Sequence, residues 1–149
     1  MNKRQEWLER IKAVELEYLA VSEGLALLAH AVRSGGRPLA DRLNPSHLQT
    51  AGDNLEDTYL IRLYAVFESG LRDAWKDCFR RRSKPKAEDL LNAVAALRSI
   101  AEDDRDNAHS VRRYRNGIVH EGGEEAEAVS LGRAKSYLCL FFSRLPLTW

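Results

Sequence analysis

The sequence predicts an all-α fold, an antiparallel bundle of four main helices plus a shorter one. Three observations carry this prediction. Apolar residues recur at spacings of three and four along most of the 149 residues. No stretch alternates apolar and polar residues as a half-buried strand does, and the single Asn-Gly pair, Asn116-Gly117, lies inside a helical pattern. Apolar residues make up 44% of the chain and charged residues 30%, which is enough to build one core and too apolar for a disordered chain. At this length a single domain over residues 1–149 is expected, with no disulfide or structural metal needed for stability.

Residues 4–33 read as one long helix. Trp7, Ile11, Val14, Tyr18, Val21, Leu25, Leu28 and Val32 alternate steps of four and three, the seam of a helical bundle. Gly35 and Gly36 stand where such a helix should stop. Residues 34–53 contain Gly35, Gly36, Pro38, Pro45 and Gly52 and read as a connector, with room for one helical turn from Pro38 to Leu43. The second long helix is expected over residues 54–82, capped by Asp53 or Asn54, with Leu60, Tyr64, Phe67, Leu71, Trp75 and Cys78 on its buried stripe. Pro85 then opens a third helix at about residues 86–101, with Leu90, Leu91, Val94, Leu97 and Ile100 apolar. The acidic run from Glu102 to Asp106 precedes a fourth helix at residues 106–120, which Gly122 and Gly123 end. A fifth spans residues 125–144, with Val129, Tyr137, Leu140, Phe141 and Leu145 inward and Pro146 as its stop.

Composition narrows the function classes. The net charge of +1 excludes a globally basic nucleic-acid binder and leaves room only for a local basic patch. No apolar run approaches membrane length, and the charged start from Asn2 to Glu6 lacks a leader pattern. Cys78 and Cys139 are far apart in apolar helical patterns and read as buried free thiols of a reducing compartment, so a cytoplasmic protein with no membrane partner is expected. The chain has no Cys-x-x-Cys, no His-Glu-x-x-His, no Walker loop, no dinucleotide fingerprint and no Gly-x-Ser-x-Gly elbow, so neither a metal nor a cofactor is expected.

One segment stands out: Arg112-Arg113-Tyr114-Arg115-Asn116-Gly117-Ile118-Val119-His120. On a helix Arg112, Asn116 and His120 form one polar stripe. Arg115 falls on the side of Val111, Ile118 and Val119, where a guanidinium must serve an interface or a site, because an unpaired buried charge is costly. Gly117 costs about 1 kcal/mol against alanine mid-helix and removes a side chain beside Asn116. The plain alternative is a surface helix end whose cations complement the helix dipole. Arg42 and His47 repeat the Arg-x4-His spacing, but in a proline-broken stretch; only Arg115 is followed directly by Asn, at a helix end, before one last apolar helix.

In that context the chain resembles the HEPN superfamily, whose mark is Arg-x(4–6)-His with a polar residue, often Asn, after the Arg. The resemblance covers a core of about residues 54–145. Arg115 to His120 matches the motif without a gap, and Leu60 to Glu68 is similar to the family's earlier helix, which often carries an acidic residue facing the motif. The resemblance implies a metal-independent endoribonuclease, a toxin or defence effector acting on RNA. It also implies a homodimer in which two motifs meet in one cleft, and an antitoxin or other protein partner. The alternative within the family is a non-catalytic module that binds RNA, nucleotide or a protein. A further alternative is a plain helical-bundle interaction protein whose long first helix makes the contacts. One branch carries a Tyr two residues after the motif His, the target of a partner nucleotidyltransferase; Gly122 stands there, so that regulation is not expected.

The chemistry suits these residues. Metal-free RNA cleavage needs a base for the ribose 2′-OH, an acid for the leaving 5′-oxygen and a cation on the phosphorane. Histidine can be acid or base near neutrality, which assigns that role to His120. Arg115 can hold two phosphate oxygens, and Asn116 can orient the phosphate or the imidazole. One motif histidine per chain favours a symmetric dimer. Glu68 and Arg112 are supporting candidates. Glu68 either points inward towards Arg115 or pairs with Arg72 one turn on. The cluster from Arg80 to Lys86 is either a solvated helix end or a funnel for RNA. His109 is a minor candidate, expected in the first turn of the fourth helix.

Overall fold

The structure, a computed structural model, describes residues 2–120, 122 and 125–149. Among the described residues there are five α-helices and no strand. They are α1 (Lys3–Arg33), α2 (Pro45–Asp73), α3 (Ala87–Arg98), α4 (Glu102–Val119) and α5 (Leu131–Ser143), and a π-helical turn, Ala74–Cys78, prolongs α2. None is long and apolar enough to cross a membrane.

α1 and α2 run antiparallel. Gly52 faces Leu25, the Tyr18 and Tyr59 rings meet edge to face at 5.8 Å, Arg62 pairs with Glu17, and the Trp7 indole N–H donates to Asp73 at 3.0 Å. α5 lies antiparallel to α1, with Lys135 on Glu15 at 2.7 Å and Arg4 donating to the Ser143 carbonyl at 2.9 Å. α3 and α4 are also antiparallel, joined by Asn92 to His109 and Glu88 to Arg112. The core lies where α2, α3, α4 and α5 meet one another and the first half of α1. Phe67 is fully buried in it, against Tyr64, Phe141 and Phe142.

Several boundaries differ from expectation. The connector is residues 34–44, not 34–53, because α2 starts at Pro45 and runs through Gly52. Asn44, not Asp53 or Asn54, is the cap. Its side chain accepts from the Ser46 amide at 3.0 Å, while the Asn44 amide donates to the His47 Nδ1 at 3.1 Å, and Pro45 sits in the first turn. At its other end α2 stops short of residue 82. The π-helical turn closes with the Arg81 amide on the Trp75 carbonyl, and Arg80 takes φ 52°, a left-handed conformation that the sequence does not mark with glycine. α4 starts at Glu102, so His109 lies mid-helix rather than in the first turn. α5 starts at Leu131 behind the Ser130 cap, not at residue 125. The helix stop expected at Gly122 and Gly123 falls partly outside the described residues, since Gly123 is not among them.

The expected buried seams are narrower too. Of the α1 seam only Ile11 and Val14 are fully buried, and Val21 is 44% exposed. The far half of α1 pairs with the first turns of α2, as Gly52 against Leu25 shows. In α5 the inward face is Leu131, Ala134, Leu138, Phe141 and Phe142, whereas Leu140 points outward. Leu97 is exposed, and both cysteines are only half-buried. Burial holds the Cys78 and Cys139 thiols above the ordinary thiol range, so neither is an activated nucleophile.

Gly70 shows how tightly α2 meets its neighbours. A Cβ there would lie 2.8 and 2.9 Å from the Phe142 ring and 3.0 Å from the Trp7 ring. Gly70→Ala gains about 1 kcal/mol of helix propensity. Overpacking against two large aromatic rings costs about 1–3 kcal/mol. Overpacking wins, so this variant is expected to melt below wild type, and adding Phe142→Leu should recover part of the loss. A Gly70→Ala variant that melts higher would show that the rings give way freely.

Candidate functional site

The motif occupies the last turns of α4, over the middle of α2 and beside the start of α3. Its acidic first turn, Glu102, Asp103 and Asp104, suits the positive end of the helix dipole. Val111 and Ala108 dock the helix into the core, and the Tyr114 hydroxyl donates to Asp57 at 2.9 Å, which locks α4 to α2. These contacts fix the rotation of α4 and therefore the directions of Arg112, Arg115 and Asn116.

Arg115 is half-buried. Its Nη1 donates to the Asn116 Oδ1 at 3.0 Å, and its Nε is buried with no hydrogen-bond partner among the described residues. An unsatisfied guanidinium N–H is costly, so this is a stored capacity for an acceptor. Arg112 is better held. Its Nη2 reaches Glu88 at 3.2 Å and its Nε donates to the His109 Nδ1 at 3.3 Å. His109 is buried, with its other ring nitrogen 2.8 Å from the Asn92 Oδ1. A guanidinium donor on Nδ1 requires the neutral ring protonated on Nε2. Burial, and next the Arg112 charge, push the His109 pKa down in the same direction. His109 is thus a neutral strut for Arg112.

Arg112 and Asn116 line one cavity of about 370 Å³ together with Glu88 and Arg113. Neither Arg115 nor His120 is among its lining residues. α4 ends at Val119, and His120 caps it in an extended conformation with its amide on the Asn116 carbonyl at 3.0 Å. Its exposed ring makes no hydrogen bond among the described residues. The three-residue stripe expected from helical spacing therefore holds for Arg112 and Asn116 and bends away at His120, because the helix stops one residue earlier. The other Arg-x4-His pair is explained as structure: His47 belongs to the α2 cap.

Glu68 takes the second of its two expected roles. Its carboxylate accepts from the Arg72 Nε at 2.9 Å and does not contact Arg115. The charges of both nevertheless act on the Tyr64 hydroxyl, which is buried and without a hydrogen-bond partner among the described residues. Burial, then the Glu68 charge, push its pKa well above the usual phenol range, against the pull of Arg112, Arg115 and Arg72. So α2 and α4 bring Glu68, Arg72, Arg112 and Arg115 around one phenol. The stripe of α2 named Tyr64 as core, and its ring is; the sequence carries no signal that its hydroxyl ends among four charges. An unpartnered buried hydroxyl contributes nothing to stability, so Tyr64→Phe is expected to melt at or slightly above wild type, by about 1 kcal/mol. A clear drop in thermal denaturation would mean that the hydroxyl has a partner.

Among the described residues no three His, Cys, Asp or Glu side chains converge as a metal site. No family model, curated protein or solved structure matches the chain.

Proposed function

We propose that this chain is a HEPN-type endoribonuclease that cleaves RNA without a metal, as a homodimer, with Arg115 and His120 as its principal groups. One observation carries the reading: a half-buried arginine with an unsatisfied Nε, hydrogen-bonded to the next residue Asn116, at the end of a helix whose cap is an exposed histidine. In this reading Arg115 binds the phosphate and stabilises the phosphorane, Asn116 holds the guanidinium in register, and His120 moves the proton. Arg112, fixed by Glu88 and His109, adds a second cation on the same helix, in the cavity that Asn116 lines. The 2′-OH is the nucleophile, so DNA is not a substrate. A toxin or defence effector, checked by an antitoxin, is the setting in which such an activity fits.

The second reading is a non-catalytic HEPN module that binds RNA, nucleotide or a protein partner. It is favoured by the His120 ring, which makes no hydrogen bond to Arg115 or Asn116 among the described residues. A second copy that brings another His120 to the site would remove that objection.

The test is cleavage of a labelled RNA by the purified protein with and without chelator, with analysis of the ends and light scattering at micromolar concentration. Chelator-insensitive cleavage that leaves 2′,3′-cyclic phosphate or 3′-phosphate ends, by a dimer, is expected. Activity restored only by magnesium or manganese, or a protein that stays monomeric while fully active, would overturn the mechanism.

A further inference from the structure

The side chain that pairs with Glu68 also reaches away from the motif. Arg72 Nη1 donates to the Pro85 carbonyl at 3.0 Å, and the Trp75 indole N–H donates to the Ser83 carbonyl at 3.0 Å. Two α2-side donors thus pin the segment that follows the π-helical turn. Between them and that segment opens a cavity of about 710 Å³, lined by Trp75 and by six cations, Arg72, Lys76, Arg81, Arg82, Lys84 and Lys86. Arg81, Arg82, Lys84 and Lys86 are exposed and make no ion pair among the described residues.

This cavity shares a wall with a second one that reaches the motif helix. Lys86 also lines a second cavity of about 430 Å³, whose wall includes Arg112 and Asn116. Those two residues in turn line the cavity beside Arg113. The geometry points to a continuous binding track for single-stranded RNA, from Trp75 along the Arg81–Lys86 wall to Arg112 and Asn116. Its far end rests on the nuclease reading; its near end does not.

The chemistry selects this ligand class. Cations spaced along an extended segment match a phosphodiester backbone, and an aromatic ring in the same cavity matches a base face. The first cavity has the volume of a small-ligand site, which an unstacked nucleotide can enter and a paired one cannot. An acidic peptide would satisfy the cations and leave Trp75 without a flat partner. Two carboxylates, Glu88 and Asp89, stand in the middle of the track. Glu88 is the exposed partner of the largely buried Arg112 (side chains 59% and 13% accessible), so an arriving phosphate replaces it on the guanidinium.

The test uses the full chain and a fluorescein-labelled mixed-sequence 12-nucleotide RNA, 2′-O-methylated throughout so that it binds but cannot be cleaved through a 2′-OH. Anisotropy titrations at several salt concentrations give Kd and its salt slope. The triple variant Arg81→Glu/Arg82→Glu/Lys84→Glu, exposed throughout and therefore safe for folding, is expected to bind at least tenfold more weakly, with a log–log slope shallower by about 2. Trp75→Leu is expected to lose about tenfold at unchanged slope. Wild-type affinity and slope in the triple variant overturn the track, as does equal competition by duplex RNA of the same sequence or by polyglutamate. The two proposals fail separately. Track-dependent binding without cleavage of unmodified RNA ends the nuclease reading and leaves the track. Cleavage of unmodified RNA that the triple variant performs as well as wild type, with equal binding, ends the track and leaves the nuclease.

Discussion

Arg115→Ala and His120→Ala are each expected to reduce RNA cleavage by orders of magnitude and to leave the fold intact. A positioned acid–base contributes roughly 10²–10⁴-fold. Loss of one donor to a developing oxyanion costs roughly 10²–10³-fold. The structural cost should be small for both. His120 is exposed beyond the end of α4 and bonds only through its backbone. Among the described residues Arg115 makes one side-chain hydrogen bond, to its neighbour Asn116, and truncation removes a buried N–H that has no partner there. Alanine is also the best helix former, so the last turn of α4 gains slightly. Assay of both variants beside circular dichroism and melting separates the outcomes. Equal cleavage by wild type and variants would end this site assignment. Melting far below wild type would make both residues structural. Growth inhibition on expression, where wild type shows it, should vanish with both.

Phe67→Ala is expected to have the largest effect on stability, about 3–5 kcal/mol. Phe67 is fully buried, and its ring lies 5.8 to 6.2 Å from the rings of Tyr64, Phe141 and Phe142. Truncation leaves a cavity that three other aromatic rings cannot collapse to fill. A domain of this size has roughly 5–15 kcal/mol in hand, so the variant should be near its unfolding threshold at 37 °C. It should also lose any RNA activity, because Phe67 sits beneath Tyr64 and beside Glu68, where α2 supports the motif. Chemical denaturation checks it. Phe67→Leu keeps most of the volume and should lose less than half as much. A loss below about 1 kcal/mol for the alanine variant would mean that the α2–α5 contact is looser than the ring geometry indicates. Activity lost here travels with stability, whereas at Arg115 and His120 it should not.

The sequence by itself determined the helical class, the number of helices and the approximate course of each. Those depend on apolar spacing and on end signals that act within a few residues. Lys3–Arg33 was legible almost to the residue because its stop, Gly35, is local. Glu68 with Arg72 was legible as one of two alternatives, since one helical turn joins them. The tertiary structure decided the rest. Gly52 looked like part of a connector because glycine weakens a helix, but the capping box at Asn44 and packing against Leu25 outweigh that cost. The end of the α2 region carries no local mark, because a left-handed arginine, Arg80, stands where glycine usually does. The candidate site divides the same way. Arg115 next to Asn116 is a property of consecutive residues, readable in one line of sequence. The Tyr64 hydroxyl among Glu68, Arg72, Arg112 and Arg115, the Glu88–Arg112–His109 strut and the cavity behind Trp75 each join residues from different helices or loops. Their meeting depends on how far each helix is rotated and translated when it docks, and spacing along a single chain carries no record of that.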